Sequence, residues 1–148
     1  MRRTMTALIA GGLLAGTAAC GSLGGATPVS TLTGGPEPAA KVSCEAVGDA
    51  YTKNIGPFAE ALTKMVADRR TVKVAQQKLD AFGAAIRTAT ADSADLEIRA
   101  DGKQTADRLH AKSADAKWFG TIRTAEDVNT ALGPTLKEWL APVTNHCS

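Results

Sequence analysis

TVKVAQQKLDAFGAAIRTATA, Thr71–Ala91, decides the fold class. Its apolar positions Val72, Ala75, Leu79, Phe82, Ile86 and Ala89 follow one another at alternating steps of three and four residues. That spacing holds them on one face of a helix of about 3.6 residues per turn, as a coiled-coil-like seam. A strand would show alternation of period two, which this stretch lacks. A seam so narrow is buried only when further helices cover it, and the flanking sequence supplies them.

Upstream, CEAVGDAYTKNIGPFAEALTKMVADRR (Cys44–Arg70) carries Val47, Tyr51, Ile55, Phe58, Leu62, Met65 and Val66 on one helical stripe, with Ser43 as N-cap. Downstream, ADSADLEIRADGKQTADRLHAKS (Ala91–Ser113) carries Ile98, Gly102, Thr105 and Leu109, flanked by Leu96 and Ala106, amid many charges. It reads as a third helix with a solvated outer face. DAKWFGTI (Asp115–Ile122) reads as a connection whose Trp118, Phe119 and Ile122 cap the core. Thr124, followed by Ala125, Glu126 and Asp127, marks a helix start with acid in the first turn, where the helix dipole favours it. Val128, Leu132, Thr135 or Leu136, and Trp139 continue that fourth helix.

Ile55-Gly56-Pro57 in the first helix and Leu132-Gly133-Pro134 in the fourth place a proline inside a helical pattern. Each removes a backbone donor and crowds the preceding turn, so the first and fourth helices are expected to kink or restart there. The pair reads either as bends around a small core or as hinges that splay the bundle around a ligand cavity. Composition agrees with helices: of 148 residues, 44% are hydrophobic but only 4% aromatic, so Ala, Leu, Val and Ile must build the core.

The first nineteen residues stand apart. Arg2 and Arg3 precede an uncharged, largely apolar run, Met5–Ala19, that is too short for a membrane span of roughly 20 residues. Residues 1–19 therefore read as a secretory signal peptide. Removing them lowers the 17 basic residues to 15, against 15 acidic, which leaves no electrostatic footprint for nucleic acid. Residues 20–43, rich in Gly, Pro, Ser, Thr and Ala, read as a flexible tether, and 44–148 as the helical domain.

Thr17-Ala18-Ala19-Cys20-Gly21-Ser22 resembles the lipobox of bacterial lipoproteins, with Thr17 where that family usually has an aliphatic residue. The resemblance implies cleavage before Cys20 and acylation of its sulfur by palmitate-type chains, anchoring the chain to the outer face of the cytoplasmic membrane. The same Thr-Ala-Ala also suits an ordinary signal peptidase, so simple secretion stays open. The whole chain is similar in architecture to small lipoproteins of high-G+C Gram-positive bacteria, a likeness that carries no activity. The chain has three cysteines, and lipidation of Cys20 uses the odd one, leaving Cys44 to pair with Cys147. With short connections only an even number of helices returns Cys147 to the end where Cys44 starts. The expectation is thus an all-α, four-helix up-down bundle closed by a terminal disulfide.

Catalytic chemistry is sparse. His110 and His146 are the two histidines, and Asp107 with His110 at i and i+3 falls short of a metal site. His146 stands beside Cys147, but a disulfide sulfur is no nucleophile. Glu126 and Asp127 are explained by capping, and Arg69, Arg70 and Lys73 read as a solvated basic cluster. The sequence holds no Gly-rich phosphate loop, no Gly-x-Ser-x-Gly elbow and no Cys-x-x-Cys. No catalytic residue, cofactor or metal ligand is assigned. The expectation is a non-catalytic, surface-tethered module whose partner is a protein, a peptide or a small apolar ligand. An accessory or inhibitor subunit of another envelope protein is one alternative, and a secreted enzyme or metal-handling protein the other.

Overall fold

The helical seam of Thr71–Ala91 sits at the centre of the molecule. In the computed structural model, which describes residues 38–148, this stretch forms α2, Val72–Ala91. Before it run α1, Pro38–Ala67, and a 3-10 turn, Arg69–Thr71. After it come α3, Leu96–Ser113, and a short α4, Ala116–Thr121. Helix α5, Ala125–Thr130, passes through a π-helical segment, Ala131–Thr135, into α6, Leu136–His146. All regular structure among the described residues is helical, and none of these helices is long and apolar enough to cross a membrane.

Ala75, Leu79, Phe82 and Ile86 are completely buried, as their spacing requires. Helix α2 packs on α1 along one flank and on α3 along the other. Gly102 lets α3 approach so closely that a β-carbon there would meet Thr90 Oγ1 at 2.0 Å. The α2/α3 pair is antiparallel: Arg87 and Asp107 form an ion pair across it, as do Asp80 and His110. Helix α1 also opposes α2, since Ser43 donates to Ser93 Oγ at 2.9 Å just beyond the end of α2. Helix α6 packs on α3, and α5 touches α1.

Each start signal has a local cause. Asp95 caps α3 by accepting from the Glu97 and Ile98 amides, at 2.8 and 3.2 Å. Asp115 caps α4 through the Trp118 amide at 3.0 Å. Thr124 and Asp127 form a reciprocal capping box at α5, as the sequence indicates.

Several expectations need correction. Helix α1 begins at Pro38, so 38–43, assigned to the tether, are helical, and Ser43 is an interior residue of α1 instead of its N-cap. The remainder of the tether, the signal peptide and Cys20 lie outside the described residues. Asp115–Ile122 is more than a connection: a capped turn of helix puts Phe119 at 0% exposure.

The two Gly-Pro sites behave differently. Helix α1 stays helical through Pro57, where Gly56, Pro57 and Lys53, whose carbonyl loses its helical donor, are all exposed to water. At Pro134 the chain widens instead. The Leu136 amide reaches back to Ala131 O, five residues earlier, and the π turn relieves the clash that a proline ring imposes on an α turn.

Cys44 and Cys147 are joined, with Cα atoms 5.4 Å apart across a sequence separation of 103. Closing a loop of that length restricts the unfolded chain by about 4–5 kcal/mol in the chain-entropy account.

Candidate functional site

Helices α1 and α6 are linked covalently at one end, and beyond the disulfide they make little contact. At the other end α1 packs on α5. Between these two closures a groove of about 730 Å³ opens, within the roughly 300–1,000 Å³ usual for small-molecule sites. Val47, Gly48, Tyr51 and Thr52 form the α1 wall, and Leu132, Gly133, Leu136, Lys137, Leu140 and Thr144 the opposite wall. The Cys44–Cys147 bridge and Ser148 close one end, and Ile86 of α2 is the floor.

Local structure explains why the groove stays open. Gly48 and Gly133 present no side chain to it, and a β-carbon on either would meet nothing within 4 Å. The π segment places Leu132 and Gly133 on the wall. Tyr51 leans edge-on against Phe82, ring centroids 5.9 Å apart, and keeps 39% of its surface exposed.

The polar groups on these walls are largely committed. Thr52 donates to Gly48 O at 2.9 Å, Thr144 to Leu140 O at 3.1 Å, and Ser148 to Thr144 O at 2.7 Å. Each hydroxyl proton therefore serves its own helix, and the surface it offers a ligand is more apolar than the sequence suggests. Among the described residues lining the groove, Lys137 alone has a charged side chain. Its ammonium forms no ion pair with the described residues, unlike Lys53, Lys64, Lys103 and Lys112, each held by a neighbouring carboxylate.

Outside the disulfide end lies a polar cluster. His146 Nε2 is 3.4 Å from Asp95, and its Nδ1 is 3.8 Å from Glu97 and 3.7 Å from Asp101. Asp95 titrates below the ordinary carboxylate range, held there first by the Ile98 amide at the α3 cap, with the nearby His146 ring contributing. His146 is thus a bridge from the end of α6 to the start of α3.

The other residues singled out from the sequence are dispersed. Asp107 is clasped by Lys103 and Arg87, whose hydrogen bonds hold its carboxyl below the ordinary range, whereas His110 Nδ1 faces Asp80. The two are engaged separately. Among the described residues no group of three or more His, Cys, Asp or Glu side chains is placed to hold a metal ion.

Arg69 is not merely solvated. Its guanidinium donates to Ile122 O at 2.7 Å and Phe119 O at 2.9 Å, satisfying carbonyls that the short α4 leaves unpaired. Trp139 is only 6% exposed and packs at a tilt against the half-buried Trp118, ring centroids 4.8 Å apart, so this aromatic pair belongs to the core and forms no flat docking patch.

The groove is what sequence reasoning left unassigned. Its one visible signal was Gly133-Pro134, read as either a bend or a cavity hinge. Of the two Gly-Pro pairs, only this one borders the opening. Compared with protein-family models, curated proteins and solved structures, the chain matches none.

Proposed function

We propose that this protein is a non-catalytic binding module that holds a small apolar ligand in the groove between α1 and α6. The observation that carries the reading is a largely apolar cleft of about 730 Å³ in which the Thr52, Thr144 and Ser148 hydroxyls are turned back onto their own helices. Apolar surface of this kind remains in water only at a free-energy cost, which a hydrocarbon ligand removes at about 25 cal/mol per Å² covered. The burial of Trp139 leaves no broad aromatic patch beside Trp118 for an accessory or inhibitor subunit to dock on. Asp107 and His110, the pair closest to a metal motif in the sequence, are engaged with Arg87 and Asp80 instead of with each other.

In this reading the architecture is an up-and-down bundle of four long rods, α1, α2, α3 and α5–α6, with α4 as connector. The lipobox-like Cys20 tethers it outside the cytoplasmic membrane, where hydrocarbon ligands are plentiful. Intact-mass measurement on the natural product tests the anchor: an acyl increment at residue 20 is expected, and an unmodified cysteine there would replace it with simple secretion.

A neutral solvatochromic dye such as Nile red tests the groove. The wild type should bind it with a blue-shifted emission, and Gly48→Leu should abolish the signal by filling the cleft. The substitution also replaces a mid-helix glycine with a good helix former, so folding should be preserved or gain about 0.5–1 kcal/mol. Equal dye binding by both proteins would remove the groove from consideration.

A further inference from the structure

We infer that the ligand of this groove is a free single-chain fatty carboxylate, lying with its tail toward the Cys44–Cys147 bridge and its anionic head at Lys137. The inference rests on the groove being the binding site and adds to it the ligand's class and direction.

Two groups on the walls retain protons that no described residue accepts: the Lys137 ammonium and the Tyr51 hydroxyl. Both lie away from the disulfide. Tyr51 is seven residues beyond Cys44 along α1, about 10 Å, and Lys137 is ten residues before Cys147, about 15 Å. A ligand with one anionic group and little else to satisfy is what one cation and one hydroxyl can serve. A phosphate monoester carries more charge and more acceptors, and is better met by several donors or a bidentate arginine.

The two ends of the groove also differ in charge. Beside the bridge, Asp95, Glu97 and Asp101 surround His146, so carboxylates outnumber the one histidine there. An anionic head is repelled from that end and drawn toward Lys137, partway along the opposite wall. The helices converge on the bridge, whose Cα atoms are 5.4 Å apart, so that end of the groove is closed and suits the end of a tail.

The test compares hexadecanoate with hexadecanol, of equal chain length, by competition against Nile red below their aggregation limits, using the full chain. Wild type should prefer the carboxylate. Lys137→Gln should weaken hexadecanoate by about two- to fivefold, the range of one exposed ion pair, and leave hexadecanol unchanged. Lys137→Glu should reverse the preference, and Tyr51→Phe should reduce it. Lys117→Gln, on α4 outside the groove, is the control and should change neither ligand. Equal affinity for acid and alcohol, or a preference indifferent to Lys137, overturns the inference while the groove stands. Failure of both ligands to compete overturns the groove with it.

Discussion

Gly102 shows how much of this structure depends on a single absent side chain. A β-carbon added there would fall 2.0 Å from Thr90 Oγ1 and 2.5 Å from Thr90 Cβ. Rotating Thr90 about its χ1 cannot relieve the second contact, so α2 and α3 would have to move apart. Gly102→Ala should destabilise the fold by about 1–3 kcal/mol, despite the better helix propensity of alanine, and chemical denaturation will show it as a lower midpoint. Gly48, on the same criterion, has only open space before it. Sequence alone distinguishes the two poorly: Gly102 falls on the stripe of Ile98, Thr105 and Leu109, whereas Gly48 is simply a small residue beside Val47. That one guards a helix crossing and the other an open cleft follows from which helices face them, and this is tertiary information.

At the scale of elements, the start signal at Thr124 was legible because it acts locally, whereas the Asp95 cap, equally local, is seen only in the structure and Ser43 proved to lie inside α1. Thr124 with Asp127, and Asp95 before Leu96, satisfy amides within three residues of themselves. The same contacts give the molecule an acid-sensitive set of helix ends. Backbone amides hold Asp95 and Asp115 below the usual aspartate value of 3.8, and the Arg123 and Thr124 amides do so for Asp127. A carboxylate whose folded pKa is depressed stabilises the fold above its unfolded value, and the contribution disappears as pH falls through the folded one. The melting temperature should therefore vary little between about pH 5 and neutrality and drop below the ordinary aspartate range. Circular dichroism melts across that range, with Asp95→Asn showing a shallower acid decline, will check it.

What stayed hidden at this scale was non-local. Arg69 serves carbonyls at Phe119 and Ile122, some fifty residues away, and nothing around Arg69 announces it. The π turn at Pro134 was only half legible. Proline forbids a regular turn, but whether the chain breaks, bends or widens is decided by the packing of Ala131 and Leu136, both nearly buried. Leu96 errs in the other direction: it flanks the apolar stripe of α3 and yet is 69% exposed.

For the whole molecule, the seam of α2 was readable because periodicity constrains it without knowledge of the fold, and the pairing of Cys44 with Cys147 followed from assigning Cys20 to a lipid on its likeness to a lipobox. The groove was not readable, since it is made from what α1 and α6 fail to do. They are joined at the bridge, and α1 meets α5 farther along, while the stretch between opens into the groove, with the buried Ile86 beneath it. Complete helix contact would have buried Tyr51 and Leu132 in the core; the account instead assigns that unfilled space to a hydrocarbon chain. Amide and methyl chemical-shift mapping during titration with hexadecanoate measures this most directly. The account predicts shifts confined to Val47, Gly48, Tyr51, Ile86, Leu136 and Leu140, saturating at one ligand per chain. Shifts centred on the Trp118–Trp139 end, or none at all, would contradict it.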